Sequence, residues 1–211
     1  VSIAKYYPEG TIISSGLSKW CGAGGWRLGT FSFPAKLHWL MDAMAAVASE
    51  TYTSVSAPIQ YAAIQAFLCG SEIENYLSHV RKILALLGKE TAAILKNGNI
   101  SVNDPTGGFY LFLDFTPLSE KLVKRGIADG SILCDRLLDE CGVAILPGVD
   151  FNRPAEELSA RLSYVDFDGA KALSASYSIP LHEKFPADFL FQYCGNVIEA
   201  AEKIVEWGNA E

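Results

Sequence analysis

TIISSGLSKWCGAGGWRLGTFSFP, residues 11–34, is the stretch that decides how the chain is read, and Lys19 stands near its centre. The run Thr11-Ile12-Ile13 has the β-branched character of a buried strand, since such side chains suit a pleated, packed surface. Ser14, Ser15 and Gly16 then predict a turn that presents Lys19 at a strand end. Gly22, Gly24 and Gly25 follow, then Arg27, Gly29 and a second apolar strand toward Pro34. Glycines let backbone N–H groups approach an anion closely, and an arginine fork grips a phosphate through two bonds. The arrangement is that of an amine nucleophile beside an anion clamp. Its bland alternative is a glycine-rich surface turn with an ordinary solvated lysine.

Two common phosphate loops are excluded by spacing. A P-loop needs Gly-Lys-Ser/Thr after its glycines, whereas Lys19 precedes them. A dinucleotide fingerprint starting at Gly22 and Gly24 needs a glycine where Arg27 stands. Ser18-Lys19, a short spacer and Gly25-Trp26-Arg27-Leu28-Gly29 resemble the lysine segment of the class I/II, fold-type I aminotransferases, the aspartate-aminotransferase-like family. That resemblance implies pyridoxal 5′-phosphate as cofactor, a Schiff base on Lys19, and Arg27 on the cofactor phosphate. It places Ser18 and Ser15 among the cofactor contacts, with Ser14 an alternative to Ser15. Gly16 stands where the family often has a serine.

Composition sets outer bounds. Apolar residues make up 50% and charged residues 19% of the 211, an excess that predicts a large buried interface. A net charge of −7 without a long basic run argues against nucleic acid or an anionic membrane surface as main partner. Cys21, Cys69, Cys134, Cys141 and Cys194 are scattered and form no C-x-x-C pair, which suits a reducing, cytoplasmic compartment and offers no zinc site. His38, His79 and His182 lie far apart, so no metal site is expected. No signal peptide or membrane-spanning run is read. A start at Val1, without methionine and just ahead of a strand, predicts a piece of a longer protein.

Periodicity orders the rest. Leu37, Leu40, Met41, Met44 and Val47 predict a helix over 36–50, and Pro58 one to about Cys69 with Ser56 as cap. The resemblance implies that the loop between them reaches toward a neighbouring subunit's cofactor, which makes Ser54 and Ser56 candidates for that contact; as ordinary loop and cap serines they are equally well explained. Ile73, Leu77, Val80, Ile83, Leu84 and Leu87 predict a long amphipathic helix over 71–97, interrupted at Gly88. The resemblance implies that this helix links a large domain to a smaller one, and the boundary is placed there: 1–87 as the end of the cofactor-binding domain with its linking helix, 88–211 as a small C-terminal domain. Strands are expected at 100–102, 109–115, 143–146 and 158–167, the second covered on both faces. Helices are expected at 131–140, 169–176 and 186–207. The fold class is α/β, the end of a mostly parallel sheet with helices, followed by an α+β domain.

Arg161 is the second chemical element. In Leu158-Ser159-Ala160-Arg161-Leu162-Ser163-Tyr164, alternation puts Arg161 and Ser163 opposite Ala160, Leu162 and Tyr164. Alone it reads as a surface ion pair with Glu156, Glu157 or Asp166. The resemblance, with the preceding Pro147-Gly148 turn, implies that it grips a substrate α-carboxylate and turns Cα–H toward Lys19. Lys19 would then move the proton as general acid/base, its pKa lowered by partial burial and by Arg27.

The family's partners for the cofactor ring nitrogen and O3′ come from strands before the lysine, and only eighteen residues precede Lys19. None can be assigned, so the chain matches about the C-terminal half of the family's fold and is expected to be inactive alone. Glu50-Thr51-Tyr52-Thr53-Ser54, where the aspartate-specific branch carries a side-chain-binding arginine, has none. The reading is therefore a transaminase acting on an amino acid and a 2-oxo acid, homodimeric when complete. Its alternatives are a fold-type I lyase or synthase, and a non-catalytic sensor domain of a regulator.

Overall fold

In a computed structural model, which describes residues 2–210, the chain divides between Leu77 and Ser78 into two compact units. In the first, β1 (Ile13–Gly16) runs into a one-turn helix α1 (Leu17–Trp20), and β2 (Gly29–Ser32) returns antiparallel to β1. The register pairs Ile13 with Ser32 and Gly16 with Gly29. Ser14, Ser15 and Gly16, expected as a turn, are thus strand residues; the turn comes only where helical α1 begins. Helices α2 (His38–Thr51) and α3 (Ala57–Phe67) follow. Ser56 occupies the N-cap of α3 but makes no side-chain cap bond.

The long helix α4 (Ser71–Asn97) is continuous through Gly88. Glycine is there for packing rather than as a breaker. A Cβ at 88 would stand 2.7 Å from the Tyr164 hydroxyl and 3.0 Å from Pro105. The Tyr164 ring is 1% exposed and its hydroxyl donates to the Gly108 carbonyl at 3.1 Å, so it cannot easily retreat.

In the second unit, a four-stranded antiparallel sheet has the order β3 (Ser101–Val102), β4 (Tyr110–Asp114), β6 (Ser159–Ser163), β5 (Leu146–Pro147). Around it lie α5 (Ser119–Lys124), which periodicity did not reveal, α6 (Gly130–Cys141), α7 (Gly169–Tyr177) and α8 (Phe189–Asn209). Helix α6 starts on Asp129, whose carboxylate accepts from the Ser131 and Ile132 amides, and stops at Gly142 with φ of 69°. One face of β4 faces the core through Leu111 and Leu113; the other leaves Tyr110 and Phe112 exposed. The expectation of cover on both faces fails on this second face. Residues 143–145 approach β5 without pairing, which shortens the expected strand.

Within this unit, buried His79 on α4 and Ser176 on α7 share a 2.7 Å hydrogen bond at imidazole Nδ1. Burial, reinforced by the Lys82 ammonium, pushes the His79 pKa below 6.5.

Two measurements check this packing. Gly88→Ala gains about 1 kcal/mol of helix propensity but overpacks Tyr164 by about 1–3 kcal/mol, so a net loss is expected in urea unfolding. Stabilisation would contradict the packing role. The fold holds His79 neutral, so below its ordinary pKa the unfolded chain takes up the proton first. Stability is therefore full above pH 6.5 and is lost as pH falls below it. His79→Gln should flatten that part of the stability–pH curve; an unchanged slope would assign it to other groups.

Candidate active site

Lys19 and Arg27 belong to one loop closed by the β1–β2 pairing. At its base the Leu17 amide donates to the Leu28 carbonyl at 3.3 Å. Both leucines are buried, packed with Ala63 and Ala66 of α3. Inside the loop the Ala23 amide donates back to Leu17 at 3.1 Å, and a short 3₁₀ turn (Gly24–Trp26) delivers Arg27. The Tyr76 hydroxyl of α4 donates to the Cys21 carbonyl at 3.1 Å, and the Trp20 ring lies 5.9 Å from that of Phe67. The loop is therefore fastened at its base and at its far side. The sequence does not single out Tyr76, because a contact with a loop far upstream leaves no periodic trace.

Arg27 adopts φ 53°, ψ 42°, the left-handed region, and donates from a guanidinium Nη to the Gly24 carbonyl at 2.9 Å. A non-glycine residue there costs about 1–3 kcal/mol, a strain concentrated at ligand sites. A Cβ on Gly25 would meet nothing within 4 Å, so this chain's own packing does not demand glycine there. Lys19 is exposed rather than partly buried, Ser18 is half-buried, and Ser15 pairs with Thr30 across the hairpin. No aspartate or glutamate occurs between Gly10 and Met41. An amine, a guanidinium and two hydroxyls in an acid-free stretch form a donor set that fits a phosphate-bearing carbonyl compound.

Ser54 is exposed and lines a cleft of about 710 Å³ in the first unit, with Gly29, Thr30, Gln60 and Phe67. Among the described residues no group of three metal-ligating side chains comes together, and no helix is long and apolar enough to cross a membrane.

In the second unit, Arg161 lies on the open face of β6, opposite Phe112 of β4 and Leu146 of β5, as alternation predicts. Its guanidinium carbon stands 4.4 Å from the Tyr110 ring centre and 4.2 Å from that of Phe151. Its Nε is buried without a hydrogen-bond partner. Glu157, one proposed ion-pair partner, is held instead by Arg153 through two 2.8 Å bonds. No carboxylate among the described residues pairs with Arg161, which removes the surface-ion-pair alternative. Phe151 was missed because ring–guanidinium stacking has no fixed spacing in sequence.

The chain is 31% identical over 155 residues to an aspartate aminotransferase of Bacillus sp. (strain YM-2), covering 73% of this chain and 36% of that protein. To an aspartate/prephenate aminotransferase of Thermus thermophilus it is 31% identical over 162 residues, 74% and 37% of the two. In fold, it matches the Thermus thermophilus aspartate aminotransferase solved with maleate at a TM-score of 0.70 and 23% identity, over 97% of this chain and 43% of the other. The chain thus spans less than half the length of these relatives. The pattern of the family described as aminotransferase class I and II matches residues 1–171, and the chain belongs to that family.

Proposed function

We propose that the chain is the C-terminal part of a pyridoxal 5′-phosphate-dependent aminotransferase that moves an amino group between an amino acid and a 2-oxo acid. The observation that carries this reading is the pairing of Lys19 with strained Arg27 on one closed, acid-free loop. When bound, pyridoxal phosphate supplies a carbonyl that condenses with amines and a ring that accepts the electron pair released at Cα. The Lys19 amine would hold the cofactor through its carbonyl and would carry the proton to and from Cα. The Arg27 fork holds the phosphate, with Ser18 and Ser15 as hydroxyl donors. Arg161 receives the substrate α-carboxylate; its lack of an internal carboxylate partner supports that role.

The domain reading places the end of the cofactor-binding domain and its linking helix in 1–87 and the small domain in 88–211. The division of the chain inside α4 supports it in outline, the compact units meeting at Leu77–Ser78 and the proposed boundary lying further along the same helix. We propose a homodimer for the complete protein, supported by the exposed Trp39, Met44, Val47 and Tyr61 on α2 and α3. A cytoplasmic location is supported by five free cysteines, two of them buried.

Borohydride reduction in the presence of pyridoxal phosphate, followed by peptide mapping, tests the anchor without relying on turnover. Label is expected on Lys19 and is expected to vanish in Lys19→Ala. Label on Lys5 or Lys36 would overturn the assignment.

A further inference from the structure

The substrate role of Arg161 leaves open how a flexible arginine on an open sheet face is held in one geometry. Three observations bear on it. Two aromatic rings pack on the guanidinium, Tyr110 from the neighbouring strand at 4.4 Å and Phe151 from the turn after β5 at 4.2 Å. A third ring, Phe112, meets Phe151 edge-on at 6.1 Å and braces it. Third, Nε is shut off from solvent and has no acceptor, although arginine offers five N–H donors in a fixed fork.

These fix what a ligand can reach. A carboxylate pairs with arginine either side-on, through Nε and one Nη, or end-on, through both Nη groups. Burial of Nε closes the side-on edge. The rings also make the surroundings apolar, so a charge pair formed there is screened less than one in open water.

The turn that carries Phe151 is itself constrained. Gly148 opens the short 3₁₀ turn Gly148–Phe151, and a side chain at 148 would run into the Ser159 hydroxyl, two residues before Arg161 on β6. Beyond the turn, Asn152 takes φ of 62° and the Arg153 amide donates to the Gly148 carbonyl at 3.2 Å. The turn is thus seated against the strand that carries Arg161.

We propose that Phe151 and Tyr110 are positioning residues. They clamp the Arg161 guanidinium so that it takes the substrate carboxylate end-on through its two Nη groups. The proposal rests on the substrate role assigned to Arg161 above.

The test uses the full-length holoenzyme carrying this chain, with kcat and KM measured for its amino donor. Phe151→Leu keeps apolar bulk but removes the ring face; a rise in KM of about 3- to 30-fold with kcat little changed is expected. Phe151→Tyr, which keeps the ring, should behave as the parent. Arg161→Lys should lose kcat/KM by about 30- to 1000-fold. Arginine Nε–H exchange by NMR supplies a readout independent of turnover: Arg161 Nε–H should exchange slowly in the parent and faster in Phe151→Leu. If Phe151→Leu matches the parent in KM and in exchange while Arg161→Lys is impaired, the clamp is overturned and the carboxylate role stands. If Arg161→Lys is also unimpaired, the carboxylate role itself fails, and the clamp with it.

Discussion

The candidate site depends on one backbone constraint, the antiparallel pairing that brings Gly16 opposite Gly29. Without it, Lys19 and Arg27 would sit on a glycine-rich segment fastened only at its far side, through Tyr76 and Trp20. With it, the loop is a closed circuit whose base is sealed by buried Leu17 and Leu28. A Cβ on residue 16 would stand 3.2 Å from the Leu28 carbonyl, so a side chain there would need the hairpin to give slightly. Within the closed loop Arg27 takes the left-handed region, at φ 53° and ψ 42°. Left-handed strain of this kind is found where a binding geometry is set before its ligand arrives, which supports the proposed clamp.

The two units differ in how far they satisfy their own apolar surface. The second builds a contiguous core from α4 to α8, with Leu87, Leu95, Phe115, Leu137, Tyr164 and Ile204 almost wholly buried. The first buries a small cluster around Leu17 and Ala66 while Ile13, Phe31, Trp39, Val47 and Leu68 stay exposed. The high apolar content seen in the sequence is spent differently in each. In the first unit it lies on the surface, the pattern of a region made to be covered.

Much of this was legible in the sequence, and the failures share a cause. Ser18-Lys19 and Gly25-x-Arg27-x-Gly29 picked out the loop that the β1–β2 pairing closes, and the phosphate role proposed for it rests on those residue types at fixed spacing. Strand alternation placed Arg161 away from Ala160 and Leu162, since a period of two leaves no freedom. Gly88 was misread because a glycine in a helical pattern looks like a break; its reason, the Tyr164 ring, is a long way off in sequence. The open face of β4 was misread because Tyr110 and Phe112 are apolar yet lie outside the core, Tyr110 against the Arg161 guanidinium and Phe112 against the Phe151 ring. Tyr76 and Phe151 escaped for the same reason. Local periodicity reports which face is apolar, not which distant group will use it.

The central claim is that the Lys19 loop, through Arg27, is the cofactor's phosphate clamp. It is tested most directly by ³¹P NMR of bound pyridoxal phosphate as a function of pH, in the full-length protein and in its Arg27→Gly variant. A free phosphate monoester takes up a proton near a pKa of about 6. If the guanidinium grips the dianion, the parent's resonance should stay constant through that range. Arg27→Gly relieves the left-handed strain, so it should fold at least as well, yet its resonance should titrate near the free value. A parent signal that titrates like free phosphate, or a variant signal as flat as the parent's, would contradict the account.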